Sequence, residues 1–110
     1  MKTFKIGFIE ILSQDVGKMR YKDAIKYCES LGPGWRLPTI REIEFLLSDL
    51  SSMSVGGFKK ENQELNGYFV HPYYWVQQID EKYLCWSFIK GDGEYMPENR
   101  AFWVRPVKSI

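Results

Sequence analysis

Between Gly34 and Glu42 the chain writes out the start of a helix and the way into it. Pro38 excludes the helical region for Leu37, so the approach is extended. Thr39 and Glu42 stand three apart, the spacing at which each side chain caps a backbone N–H of the other. Ile40, Ile43, Leu47 and Leu50 then recur on one helical face. The spacing predicts a stiff linker followed by a helix over 40–50. Within the linker, Trp35 is expected to plug a core against a sheet, and residues 35–39 to form a buried hinge. Arg36 carries a planar fork of donors that suits backbone carbonyls or a carboxylate such as Glu42 or Glu44, a structural role preferred here over a ligand anchor.

Upstream, Tyr21, Ala24, Ile25, Cys28 and Leu31 fall at helical spacing, with Asp23 in the first turn and Gly32-Pro33 as a stop. A helix is predicted over 21–31. Thr3 to Leu12 reads as one strand, with Phe4, Ile6 and Phe8 alternating with Lys5 and Gly7, although Ile9 and Ile11 break the alternation. Residues 13–18 read as a loop. Residues 51–66, with Gly56-Gly57, read as a long surface loop. Three strands follow, over 73–79, 82–90 and 101–108, with turns at His71-Pro72 and Asp80-Glu81. Pro106 implies an edge position or a bulge in the last of them. Helices grouped together and strands grouped together argue for an α+β fold with an antiparallel sheet. The length fits one domain over residues 1–110.

Charge narrows the function classes. Fifteen Lys and Arg stand against fourteen Asp and Glu, a net charge of +1, with no basic stripe. That excludes the electrostatic footprint of a nucleic-acid binder. No apolar run approaches the ~20 residues of a membrane span. The opening has Lys2 and Lys5 before a short apolar stretch that Glu10 interrupts, with no small-residue cleavage site after it. It reads as a strand and not a signal peptide, so the chain is expected to stay in the cytoplasm or to leave by a route that needs no such signal. Cys28 and Cys85 read as buried thiols, with a disulfide as the alternative in an exported chain. Two cysteines and the single histidine, His71, do not make a structural zinc site. His71 has no Ser or Cys partner nearby, and Gly91-Asp92-Gly93 precedes no helix, so neither a nucleophile–base pair nor a phosphate loop is supported. No catalytic residue, metal or cofactor is expected.

The polar connection from Gly91 to Arg100 carries the candidate binding residues: Asp92, Glu94, Tyr95, Glu98, Asn99 and Arg100. Acids, an aromatic, an amide and a guanidinium together suit a recognition loop. The alternative is an ordinary solvated connection.

The block Gly34-Trp35-Arg36-Leu37-Pro38-Thr39, with Glu42 after it, resembles two bacterial families. One is DUF1566, found at the C-terminus of a Legionella collagen-like adhesin. The other comprises the formylglycine-generating sulfatase-modifying enzymes. The resemblance to the first extends through Ala24 and Cys28 on the preceding helix, Tyr74-Trp75, the strand Trp86 to Gly91, and Val104-Arg105-Pro106-Val107 near the end. It implies a C-type-lectin-like fold, two helices on a small antiparallel sheet with long loops. Trp35, Arg36, Leu37, Pro38, Thr39, Glu42 and Arg105 would be its structural motif. It further implies a non-enzymatic binding module for a protein or glycan, possible homo-oligomers included, with adhesion as one use. A phage or secretion-associated assembly subunit and a small sulfatase-modifying-like enzyme are the alternatives. Met96-Pro97-Glu98-Asn99 and Trp86-Ser87-Phe88 do not supply the calcium ligands of true C-type lectins.

Overall fold

The computed structural model describes residues 2–43, 63–65, 68–70, 73–78, 80, 82–87 and 91–110. Within them lie strands β1 (Thr3–Ile6), β2 (Ile9–Leu12), β3 (Lys18–Met19), β4 (Trp35–Arg36), β5 (Gln63–Leu65), β6 (Tyr68–Val70), β7 (Tyr73–Trp75), β8 (Leu84–Ser87), β9 (Asp92–Tyr95), β10 (Phe102–Trp103) and β11 (Val107–Ser109). Helix α1 spans Tyr21–Ser30. A second helix, α2, begins at Ile40 and is described through residue 43. The fold is α+β. The predicted α2 positions beyond 43, most of the 51–66 loop and His71 lie outside the described residues.

The predicted first strand is a hairpin. Ile6 pairs with Ile9 across a two-residue turn, and Gly7 has φ 58°. A positive φ at the first central position, with Gly supplying it, suits the twist of a two-residue hairpin. The turn reverses the chain, which is why Ile9 and Ile11 fall out of the phase set by Phe4 and Ile6.

One sheet has the order β1-β2-β11-β4 and another β3-β10-β7-β8-β9, with β5-β6 a separate pair. The expected single antiparallel sheet is therefore corrected to two sheets and a hairpin, and the β10–β7 pair is parallel. Val107 lies between Ile11 and Arg36, antiparallel to both. The extended approach to α2 is thus a strand closed against the C-terminal segment. Trp35, Leu37 and Pro38 are buried there.

The predicted strand over 101–108 is two strands in two sheets. Residues 104–106 cross between them alongside the loop after β2: Val16 N–H donates to the Val104 carbonyl, Val104 N–H to Gly17, and Leu12 N–H to Pro106. Pro106 is consequently neither an edge residue nor a bulge. It sits in the crossing, where no donor of its own is used. A β-strand at Gln63–Leu65 also replaces the end of the expected long loop.

The five-stranded sheet is covered on both faces, so its central strands are buried continuously rather than alternately. Tyr74, Val76, Leu84 and Trp86 join Ile9, Ile11, Ile43 and Val107 in one cluster. Trp75, Cys85, Phe102 and Val104 join Tyr21, Ala24, Cys28 and Leu37 in another, under α1. Trp75 is edge-on to both Tyr21 and Phe102, with ring centroids 5.2 and 5.1 Å away, and its indole N–H donates to the Met19 carbonyl at 2.8 Å.

Candidate binding face

The motif around Arg36 is a local clasp. Arg36 grips Glu42 with two parallel hydrogen bonds of 2.7 and 2.8 Å and reaches Ser109 Oγ at 2.7 Å. Glu42 also accepts the Thr39 N–H at 2.9 Å, and the Glu42 N–H donates to Thr39 Oγ1 at 3.2 Å. The capping box is formed, and one carboxylate serves both the cap and the guanidinium. Burial pushes the Glu42 carboxyl up. The Arg36 guanidinium and the Thr39 donors outweigh it and hold the group below the usual carboxylate range. In turn the Glu42 hydrogen bond raises Arg36. The guanidinium thus meets one of the carboxylates that its donor geometry pointed to.

Arg105 makes a second clasp, in the crossing between the sheets. Its Nε and Nη2 lie 2.9 Å from Asp15 Oδ1, its Nη1 donates to the Leu12 carbonyl at 3.4 Å, and the Tyr74 hydroxyl donates to Asp15 Oδ2 at 2.7 Å. The side chains of Arg105 and Asp15 are 2% and 9% exposed. This arginine also belongs to the architecture, held by Asp15 and Tyr74, which the sequence reading did not single out.

The polar connection from Gly91 to Arg100 is in part a strand. Asp92–Tyr95 pairs antiparallel with β8, Ser87 opposite Asp92 and Leu84 opposite Tyr95. Its polar composition concealed the strand. Because side chains alternate across a sheet, register sorts the candidates. Asp92 stands opposite Ser87, itself opposite Tyr73, and Glu94 opposite Cys85, itself opposite Trp75. Asp92 and Glu94 therefore share the face that carries α1. Tyr95 takes the other face, where it is 60% exposed with the Lys82 ammonium 5.2 Å from its ring.

Arg100 returns to the α1 face: its guanidinium lies 5.3 Å from the Phe102 ring centroid. Tyr73 sits edge-on to Phe102 at 5.8 Å. Burial chiefly, then the charge of Asp92, raise the Tyr73 hydroxyl, while Arg100 acts in the opposite sense. So Asp92 and Arg100 both act on Tyr73 at one end of this face, and Glu94 shares the face at the level of Cys85 and Trp75. Tyr73 was missed, although the parity of Tyr73 and Trp75 against Tyr74 and Val76 would have placed it. Glu98 is turned elsewhere, hydrogen-bonded to Tyr83 and 3.8 Å from Lys22, while its carbonyl accepts the first N–H of α1 at 3.4 Å. Asn99 is exposed in the connecting turn.

The two cysteines are free and buried. Burial pushes the Cys28 thiol up to about 11 and raises Cys85 further. Both are protonated at neutral pH, the opposite of a reactive thiolate. Among the described residues no helix is long and apolar enough to cross a membrane, and no three His, Cys, Asp or Glu side chains are grouped to hold a metal ion. No family model matches the chain, and no curated protein matches it.

Proposed function

We infer that the chain is a non-enzymatic binding module of the C-type-lectin-like kind, taking a protein or glycan ligand at the end of the α1 face that carries Tyr73, Asp92 and Arg100, with Glu94 beside it on the same face. The observation that carries the reading is this convergence. An aromatic ring, a carboxylate and a guanidinium act on one another, and a second carboxylate shares their face of a two-sided core whose strands fix the spacing. Tyr and Arg combine contact area with directional hydrogen bonding, which suits recognition. The lectin-like part of the reading draws support from Val107 closing the sheet between the first hairpin and the Trp35–Arg36 strand. The thiols, both held protonated, favour binding over nucleophilic chemistry.

Glycan and peptide arrays probed with the labelled chain test this reading, with Asp92→Asn, Arg100→Ala and the distant Ile110→Ser run in parallel. Hits are expected to weaken at least ~10-fold in the first two variants and to persist in the third. Arrays that stay blank with the wild-type chain, or hits indifferent to Asp92 and Arg100, overturn it.

A second reading, an assembly subunit, rests on a different place. Phe8 is 88% and Ile110 64% exposed, and the Ile110 N–H donates to the Phe8 carbonyl at 2.9 Å. Beside them lies a hollow of about 370 Å³ lined by Gly7, Phe8, Ile9, Arg41 and Glu42. Sedimentation of Phe8→Ser against the wild-type chain tests it: self-association that vanishes in the variant supports an assembly role, and a wild-type monomer at every concentration refutes it.

A further inference from the structure

The proposed ligand face ends at the outer edge of β9, the last strand in its sheet. The hydrogen-bonding parity of that edge follows from two bonds. Val76 N–H donates to the Leu84 carbonyl, so Leu84 faces β7; Met96 N–H donates to the Tyr83 carbonyl, so Tyr83 faces β9. Hydrogen-bonded and non-hydrogen-bonded pairs alternate along an antiparallel ladder. With Cys85 opposite Glu94 and Ser87 opposite Asp92, the backbone groups of Asp92 and Glu94 turn inward to β8. Those of Gly93 and Tyr95 turn outward, and among the described residues no strand pairs with them.

Edges that are not meant to pair are usually blunted by lysine, proline or brevity. Other edges here follow that rule: β1 carries the exposed Lys5, while β3 and β4 have two residues each. The edge strand β9 runs four residues, Asp-Gly-Glu-Tyr, with neither lysine nor proline. Its two acids stand at alternate positions on one face, and a half-exposed glycine lies between them.

We propose that the outer edge of β9 receives an extended basic peptide as a sixth strand, with cations at alternate positions opposite Asp92 and Glu94. The main chain would exchange hydrogen bonds with Gly93 and Tyr95, and alternate side chains would give selectivity, the mode by which peptides extend a sheet. A second copy of this chain fits badly. Antiparallel pairing of two β9 strands about Gly93 sets Asp92 opposite Glu94 twice, like charges directly opposed. The proposal rests on the binding-module reading and names its ligand class.

The test uses the full chain and fluorescein-labelled, end-blocked heptapeptides of sequence Thr-Lys-Val-Lys-Val-Lys-Thr and Thr-Glu-Val-Glu-Val-Glu-Thr, read by anisotropy. The lysine peptide is expected to bind roughly tenfold or more tightly than the glutamate one. Tyr95→Pro removes an outward N–H and leaves the inward ladder to β8 intact, so it should abolish binding, whereas Tyr95→Thr retains it. If Tyr95→Pro does not fold by circular dichroism, Asp92→Lys replaces it and is expected to abolish the peptide preference. Lysine-peptide binding that survives Tyr95→Pro, or a preference that Asp92→Lys leaves unchanged, overturns edge docking. Failure of both peptides alongside an Arg100-dependent glycan hit overturns the peptide proposal and keeps the binding module. Failure of both peptides and blank arrays overturns both.

Discussion

Two arginines hold this protein together in different ways. Arg36 meets its carboxylate six residues along the chain, at a half-exposed site, through paired bonds of 2.7 and 2.8 Å. Arg105 meets Asp15 across ninety residues, with both side chains almost wholly buried. The first pair strengthens a helix start that local sequence already favours. The second joins the crossing between two sheets to the loop after β2, and no local preference would assemble it. A charge pair in water contributes little, while breaking a buried one strands its partner. The burial of each pair, and not its hydrogen-bond lengths, therefore sets the consequence of losing it.

The largest expected effect is at the buried pair. Arg105→Ala should cost about 3–5 kcal/mol in urea unfolding by stranding Asp15. The double variant Arg105→Met with Asp15→Leu should recover most of that loss. If Arg105→Ala costs no more than Arg36→Ala, the contrast between the two clasps fails. Next comes Tyr74→Phe, which removes the 2.7 Å bond to Asp15 Oδ2 and should cost about 1.5–3 kcal/mol, as for a hydrogen bond to a charged acceptor. At the less buried clasp, Thr39→Ala should cost only about 1 kcal/mol, the usual loss for a helix cap.

The smallest effect is in the pH dependence. The Glu42 carboxyl is held below its ordinary value of 4.5 in the fold. Its contribution is thus present above the unfolded value and lost as pH falls through the lower, folded one. Thermal unfolding followed from neutral pH into acid should show a shallower decline for Glu42→Gln than for the wild-type chain. Identical acid limbs would mean that the clasp adds nothing beyond the cap.

The contrast also shows what was legible in the sequence. Thr39 and Glu42 announced their cap because both partners and their spacing lie within one helical turn, and the donor fork of Arg36 pointed to the same carboxylate. The helix from Tyr21 and the buried strands at Tyr73 and Leu84 were readable from spacing and apolar runs. The turn at Gly7-Phe8 was not, because each half of the hairpin is short enough to pass as one longer strand. β9 was hidden by residues that seldom favour strands, and only pairing with β8 reveals its alternation. Asp15 gave no local signal at all, since its role depends on a partner ninety residues away. Of the six candidate binding residues, register brings Asp92 and Glu94 to one face, which Arg100 joins over Phe102, and sends Tyr95 to the other.

Val107 is the middle rung that joins the opening hairpin to Trp35–Arg36, and Phe102–Trp103 lies between β3 and β7. Two layers thus wait on the same late stretch of polypeptide. During synthesis, neither can be completed before that stretch has left the ribosome. Until then Ile11 and Trp75 lack their final neighbours, and closure pairs Val107 with Ile11, far apart in sequence. Such distant pairings slow folding and prolong exposure of apolar surface. A nascent chain halted before Phe102 is therefore a natural client for a chaperone, and emergence of the segment from Phe102 to Ser109 should coincide with acquisition of protease resistance.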